Sequence, residues 1–313
     1  MKKINLFFLI TIYVITFTNC TNDELVSEFN IQGLTVENFP KIDGSTSNEP
    51  LMRIITCKLL NFKYEWKTPA FDIYTVISEE HPEIYQLAKT SQTHNSILNL
   101  IDGTAEIVFS ARKMSPYEQE YADNKSVSLI ETPIASDAFV FIVNPQNTIN
   151  SLEHNQIVNI YTKKITHWNE VGGNNAEILP YHRNQNSGSQ ELMESLVMQE
   201  TPMADFPSQM EIPGMFPVFS TVRWEENAIC YAVYYYKERM VVEEFRNSVK
   251  TLAINGITPN GATIKNGTYP FVAPVYVMIR SDLDKNSNAY KLYELMQTKA
   301  GKTVIEESGY IVH

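Results

Sequence analysis

The chain has 313 residues, of which 43% are hydrophobic and 19% are charged, and its formal net charge is -11. This length allows two domains of ordinary size, and this composition indicates a packed body rather than a disordered chain. The acidic balance excludes non-specific nucleic-acid binding, which needs a basic footprint, but it is compatible with a local anion site.

The N-terminus, MKKINLFFLITIYVITFTNC, has a basic start and an apolar run that ends just before Cys20. It resembles a bacterial lipoprotein signal, in which residues 1–19 are removed and the Cys20 thiol is lipidated. An ordinary cleaved signal or a short membrane anchor is the alternative. We expect residues 20–40, which begin with polar side chains, to form a tether. Cys57 and Cys230 lie in apolar runs and are expected to be buried and unpaired, although export would also permit a disulfide.

Predicted strands and helices alternate along the rest of the chain, which indicates the α/β class. In order, they are a strand and helix in FPKIDGSTSNEPLMRIITCKLL, strands in AEIVFSAR and PIASDAFVFIVN, a helix in SLEHNQIVNIYTKK, a strand in AEILPYHR, a strand and helix in ENAICYAVYYYKERM, a strand in YPFVAPVYVMIR, and two helices in NAYKLYELMQTKAGKTVIEESGYI. The nearly continuous apolar run of PIASDAFVFIVN is typical of a parallel strand covered on both faces. Ser151 is expected to cap its helix, and Gly301 to separate the last two helices.

Two polar segments combine the features of an anion cradle. In α/β folds, ligands bind beyond the carboxyl ends of strands, where DGSTS and RNQNSGS are placed. A helix start offers unpaired backbone N–H groups and a partial positive charge, and small residues let an oxyanion approach them. Hydroxyl groups add donors, and Arg183 adds a planar fork four residues before Ser187. Either motif alone is also compatible with an ordinary turn and helix cap.

Other chemistry has little support in the sequence. The 6 histidines form no H-x-x-x-H or H-E-x-x-H pattern, and there is no C-x-x-C. There is also no G-x-S-x-G nucleophile motif and no phosphate-binding G-x-x-x-x-G-K-[ST] motif. We therefore expect no metal, no cofactor and no enzymatic activity.

Four segments together resemble the phosphate-binding, solute-capturing component of ATP-driven phosphate importers. They are DGSTS, AEIVFSARKMSPYE, the run from PIASDAFVFIVN to RNQNSGSQELM, and IKNGTYPFVAPVYVMIRSD. The likeness extends from about Lys41 to His313. It implies an α/β, two-domain periplasmic-binding-protein fold of type II-like organisation, with a hinge and an interdomain cleft. Domain one would comprise residues 41–137 and 271–313, and domain two would comprise residues 138–270.

The resemblance also implies which residues bind the oxyanion. They are Ser45, Thr46, Ser47, Thr93, Arg112, Arg183, Ser187, Gly188 and Ser189. Thr93 is placed less directly than the others, and its neighbour His94 is the alternative. Arg112 stands where well-studied members carry a carboxylate that accepts a hydrogen bond from protonated phosphate and so rejects sulfate. A surface arginine paired with a nearby acid is the other interpretation of Arg112, and Asp137 is another possible source of the carboxylate.

The function implied by the resemblance is a lipid-anchored receptor in the cell envelope, facing the periplasm or the cell exterior. It would capture phosphate or a similar oxyanion as a monomer and deliver it to the permease of an ABC importer. A sensor or adhesion lipoprotein that keeps the fold without transport is the alternative. A phosphatase or esterase would need the metal ligands or the nucleophile motif that the sequence lacks.

Overall fold

The structure is a computed structural model, and it describes residues 28–69, 72–199 and 201–312. The expected signal peptide, residues 1–19, and Cys20 lie outside the described residues. Of the expected tether, residues 28–40 are described, and Phe29, Ile31 and Phe39 are buried in the main hydrophobic core. This stretch therefore packs as part of the folded body instead of forming free chain.

The described residues contain short strands arranged mainly in one mixed sheet. The strands are β1 (Ile42–Gly44), β2 (Glu65–Lys67), β3 (Thr75–Ile77), β4 (Ile107–Ser110), β5 (Leu129–Val143), β6 (Ser151–Leu152), β7 (Leu179–Pro180), β8 (His182–Arg183), β9 (Glu211–Ile212), β10 (Ala228–Val233), β11 (Lys250–Thr251), β12 (Ala253–Ile254) and β13 (Val272–Arg280). The main sheet has the order β1-β4-β13-β5-β10-β7, and β11 also pairs with β5.

Helices cover this sheet. The α-helices are α1 (Glu49–Leu59), α2 (Ile84–Leu87), α3 (Thr93–Ile101), α4 (Pro116–Asn124), α5 (His154–Tyr161), α6 (Gly188–Leu192), α7 (Pro217–Trp224), α8 (Glu243–Arg246), α9 (Gly261–Lys265), α10 (Asn288–Met296) and α11 (Lys299–Ser308). Short 3-10 helices occupy Thr46–Asn48, Trp168–Val171 and Ser208–Met210, and π-helices occupy Met193–Met198 and Tyr236–Met240. None of the helices in the described part of the chain is long and apolar enough to span a membrane.

The long strand β5 connects two lobes. Its first part, up to Ala138, pairs with β13, whereas Phe139 and the residues after it pair with β10. We call the part that contains β1, β4 and β13 the first lobe, and the part that contains β7, β8 and β10 the second lobe. The change of partner falls beside the domain boundary expected from the sequence, although the exact division of the chain into domains stays a prediction.

β5 was predicted as a parallel strand, but it pairs antiparallel with β13, β10 and β11. The prediction of burial was correct, because all residues from Ile134 to Val143 are buried. An apolar run reports that both faces of a strand are covered, and helices can cover an antiparallel strand equally well.

Two helix ends also differ from the predictions. Ser151 lies in β6, and Glu153 caps α5 through a reciprocal capping box with Gln156. Gly301 lies inside α11, whose N-cap is Thr298. A Cβ atom on Gly301 would lie 2.2 Å from the carbonyl oxygen of Leu295, so glycine here permits close contact between successive helices and does not separate them.

Cys57 and Cys230 are both buried and free, which confirms the expectation that they behave as small core residues. Burial raises the pKa of Cys57 to about 11 and that of Cys230 to about 12. Both thiols are therefore protonated at neutral pH and unreactive, since the thiolate is the reactive form.

Candidate anion-binding site

The first lobe contributes a hydroxyl group at the end of its parallel strands. β1 and β4 are parallel neighbours, so the residues that follow them emerge at the same edge of the sheet. The Ser45 N–H donates to the carbonyl oxygen of Phe109 at 2.9 Å, and the Ala111 N–H donates to Ser45 Oγ at 2.9 Å. A Cβ atom on Gly44 would lie 2.5 Å from the Phe109 oxygen. Glycine thus allows the close strand approach that orients the Ser45 hydroxyl.

Thr93, at the start of α3, is held beside Ser45. Their hydroxyl oxygens lie 2.9 Å apart. The buried carboxylate of Asp43 fixes the preceding loop, because Oδ1 accepts from the Ser91 N–H at 2.8 Å and Oδ2 accepts from Asn99 Nδ2 at 2.7 Å. One carboxylate in β1 therefore places the start of α3 next to the end of its own strand.

In the second lobe, Arg183 is locked by its backbone and by one side-chain nitrogen. Its N–H donates to the hydroxyl of Tyr231 at 3.0 Å and to Gln190 Oε1 at 3.2 Å. Its Nε donates to the carbonyl oxygen of Ile212 at 2.9 Å. Neither Nη atom has a hydrogen-bond partner among the described residues. The two Nη groups, with four of the five N–H donors of the fork, are thus oriented and unused.

The charge of Arg183 also has no counter-ion among the residues that the structure describes. The residue is only 6% exposed, and burial lowers the pKa of its guanidinium below the ordinary value. The groups that act on it electrostatically are Cys230, Tyr231 and Tyr236, none of which is a carboxylate. Because an unpaired buried charge is costly, a guanidinium in this setting is suited to meet an anion from outside the chain.

The Ser187-Gly188-Ser189 segment begins α6 and touches the first lobe. Ser187 caps the helix, since its Oγ accepts from the Ser189 N–H at 3.2 Å. A Cβ atom on Gly188 would lie 2.3 Å from Thr93 Oγ1. Only glycine at this position allows the two lobes to approach so closely.

These groups surround a cavity of about 170 Å³ between the lobes. Eight of the nine residues proposed as oxyanion ligands line it: Ser45, Thr46, Ser47, Thr93, Arg183, Ser187, Gly188 and Ser189. The hydroxyls of Thr46, Ser47 and Ser189 make no hydrogen bond with any described residue. Since buried polar groups are normally paired, these hydroxyls are free to donate to a ligand. The role of the eight residues as ligands stays a prediction.

Sequence reasoning missed the remaining lining residues. They are Gln92, Ala111, Leu192, Pro213, Gly214, Met215 and Val233. Gln92 has a left-handed φ of 67°, which is uncommon for a side-chain-bearing residue and marks a constrained position beside Thr93. The Pro213-Gly214 pair is a recognisable turn signal, but nothing in the sequence connects that turn to the cradle 25 residues earlier.

The structure does not bring Arg112 to this cavity. Its guanidinium forms a two-pronged ion pair with Glu118, at 2.7 and 2.9 Å, and Glu118 also lies 2.8 Å from His94 Nδ1. Burial by itself would raise the pKa of Glu118. The pKa is nevertheless lowered overall, because the charge of Arg112 and hydrogen bonds from Arg112, the Ser115 backbone and His94 favour the charged carboxylate. The ion pair agrees with the alternative interpretation of an arginine paired with a nearby acid, but the surface position in that interpretation is wrong, because Arg112 is only 6% exposed.

Asp137 does not supply the missing carboxylate in this arrangement. It is buried at the change of partner in β5, and its Oδ1 accepts from the N–H groups of Ala138 and Tyr235. Burial raises its pKa to about 7. Neither Asp137 nor any other carboxylate is among the described residues that line the cavity.

Two α/β lobes joined by a shared strand, with a polar cavity between them, define a two-lobed solute-binding protein. A family model described as the PBP superfamily domain matches residues 41–298, and the chain belongs to this periplasmic-binding-protein superfamily. The predicted fold class is thereby confirmed. Membership also agrees with the expectation of a binding protein rather than an enzyme.

Curated relatives include phosphate-binding proteins. The chain is 21% identical over 284 residues to the phosphate-binding protein PstS of Borreliella burgdorferi, covering 90% of this chain and 93% of the relative. It is 24% identical over 258 residues to protein SphX of Synechococcus elongatus, covering 77% and 74% of the two chains. The resemblance seen in the sequence is therefore confirmed by its relatives.

Solved structures show the same fold. An ABC-type phosphate transport receptor from Vibrio cholerae superposes with a TM-score of 0.62 at 22% identity, over 87% of this chain and 99% of the receptor. A phosphate ABC transporter substrate-binding protein from Clostridium perfringens, solved with bound phosphate, superposes with a TM-score of 0.60 at 22% identity. The superposition covers 87% of this chain and 98% of that protein.

Proposed function

We propose that this chain is the extracytoplasmic receptor that captures phosphate, or a similar tetrahedral oxyanion, for an ABC importer. The observation that carries the proposal is the buried, uncompensated guanidinium of Arg183, which faces a cavity lined by hydroxyls from both lobes. The similarity to the phosphate-binding protein of Borreliella burgdorferi, and to a receptor solved with bound phosphate, supports the choice of phosphate.

Binding of the anion would join the two lobes. Ser45 and Thr93 belong to the first lobe, whereas Arg183 and Ser189 belong to the second. An anion that contacts both sets is bound more tightly by the closed form than by the open form, and it shifts the population toward closure by that difference in affinity. The importer would then recognise the closed, loaded receptor.

Calorimetric titration with phosphate tests this function. Charge-assisted hydrogen bonds contribute roughly 1.5–3 kcal/mol each, so Arg183→Ala should weaken binding by about 10- to 1000-fold. Arg223→Ala is the matched control, since Arg223 pairs with Glu244 on the surface and does not line the cavity. The proposal is wrong if wild type fails to bind phosphate, or if Arg183→Ala binds it as tightly as the control does.

We also propose that a lipid on Cys20 anchors the receptor to the membrane, because the residue directly follows a signal-like apolar run. Cys20→Ser should abolish incorporation of labelled fatty acid and either release the protein or leave uncleaved precursor. Unchanged labelling of this variant would contradict the anchor.

A further inference from the structure

The lining of the cavity between the lobes is of mixed polarity. It includes Arg183 and the hydroxyl groups described above. It also includes four apolar residues, which we call the apolar wall: Leu192, Pro213, Met215 and Val233. An inorganic tetrahedral anion offers only oxygen atoms to its surroundings, so it makes no favourable use of the apolar wall.

The cavity is also larger than an inorganic anion needs. Its volume is about 170 Å³. A void needs roughly 10–15 Å³ to hold one water molecule, so this cavity has room for on the order of ten water-sized groups, whereas a tetrahedral anion has five heavy atoms. Space therefore remains beside the anion for a substituent of a few atoms.

No carboxylate among the described lining residues requires a hydroxyl group on the ligand. A site built to pair a ligand hydroxyl rejects an analogue that lacks it by about 10⁴-fold or more, because its own polar group is left unpaired. Replacing the fourth oxygen by carbon here strands no such acceptor. The three remaining charged oxygens still match Arg183 and the free hydroxyls of Thr46, Ser47 and Ser189.

We propose that the site also binds tetrahedral phosphorus anions that carry one small alkyl group, an inference that rests on the proposed function. The PO₃ end occupies the cradle, and the alkyl group packs on Leu192, Met215 and Val233. Met215 is only partly buried, and its unbranched side chain can adjust to substituents of different length. Alkylphosphonates and alkyl phosphate monoesters share this chemistry and differ in the atom that joins phosphorus to the alkyl group.

Competition calorimetry on the mature protein tests the proposal with phosphate, methylphosphonate, ethylphosphonate and methyl phosphate. We expect at least one alkyl ligand to bind within about tenfold of phosphate. Methylphosphonate binding would identify phosphonates as the source, and binding of methyl phosphate alone would identify esters. If phosphate binds tightly and every alkyl ligand binds more than about 10³-fold more weakly than phosphate, this proposal is wrong but the proposed function as a phosphate receptor stands. Failure of phosphate and alkyl ligands alike would overturn both.

A substitution in the apolar wall provides the second arm. Met215→Gln keeps the length of the side chain and makes it polar. Each methylene moved from water to apolar surroundings is worth about fourfold in affinity, so this variant should lose about 4-fold for methylphosphonate and up to about 15-fold for ethylphosphonate. Its phosphate affinity should fall by less than its affinity for either alkylphosphonate, and a urea unfolding midpoint equal to that of wild type would show that the variant is folded. Met210 lies outside the cavity, so Met210→Gln should change neither the affinity for phosphate nor the affinity for the alkyl ligands. If Met215→Gln lowers the affinities for phosphate and for alkyl ligands equally, Met215 does not contact the alkyl group.

Discussion

Replacing Gly188 by alanine would insert a methyl group between the two lobes. The added Cβ would lie 2.3 Å from Thr93 Oγ1 and 3.0 Å from Thr93 Cβ, whereas ordinary contact begins at 3.4 Å. To relieve this overlap of about 1 Å, either the lobes separate or Thr93 rotates and loses its 2.9 Å contact with Ser45 Oγ. Both responses act on the closed, ligand-binding form.

The cost can be worked from the geometry. Overpacking a well-packed contact costs roughly 1–3 kcal/mol, and about 1.4 kcal/mol corresponds to a tenfold change in affinity. Gly188→Ala should therefore weaken phosphate binding by about 5- to 150-fold. The free energy of unfolding of the ligand-free protein should change much less, because an open form avoids the contact.

Phosphate calorimetry together with urea unfolding tests this prediction. Gly261→Ala is the matched control, since Gly261 also begins a helix and a Cβ there would meet no atom within 4 Å. In a Thr93→Ala background the oxygen at 2.3 Å is gone, so the added penalty of Gly188→Ala should shrink. If Gly188→Ala binds phosphate as tightly as Gly261→Ala does, the lobes do not close on this contact.

Three further predictions concern the carboxylates and the anion. Glu118→Ala leaves the buried charge of Arg112 unpaired, so it should lower the free energy of unfolding, measured with urea, by about 3–5 kcal/mol. Glu120 is exposed on the same helix, and Glu120→Ala should change this free energy little. Equal free energies of unfolding for the two variants would refute the prediction. Burial raises the pKa of Asp137 from 3.8 to about 7, so the folded state holds a proton that the unfolded state releases. The free energy of unfolding should therefore fall by a few kcal/mol as the pH rises from about 4 to 7. Asp137→Asn should remove this dependence on pH, and an unchanged dependence in that variant would contradict the prediction. Because no described lining residue is a carboxylate, the protein should bind phosphate less than about 10²-fold more tightly than sulfate. Its affinity for phosphate should rise from about pH 6 to pH 8.5. A competition titration in which sulfate never displaces phosphate would refute the prediction.

Several features of the site are local in the sequence and could be predicted from it. Ser187, Gly188 and Ser189 stand where a polar stretch becomes helical, and capping chemistry depends on neighbouring residues alone. The apolar run of β5 likewise reports burial on both faces, because the side chains that pack there must be hydrophobic whatever the strand direction.

Only the tertiary structure decided how these parts meet. Backbone hydrogen bonds form with either strand direction, so nothing in the side chains of β5 revealed its antiparallel pairing. The contact of Gly188 with Thr93 joins residues that are almost a hundred positions apart. Arg112 carries a charge that could have faced either the cavity or an acid, and the turn into α4 placed Glu118 against it. Local patterns record propensity and burial, whereas the pairing of distant residues depends on the path of the chain between them.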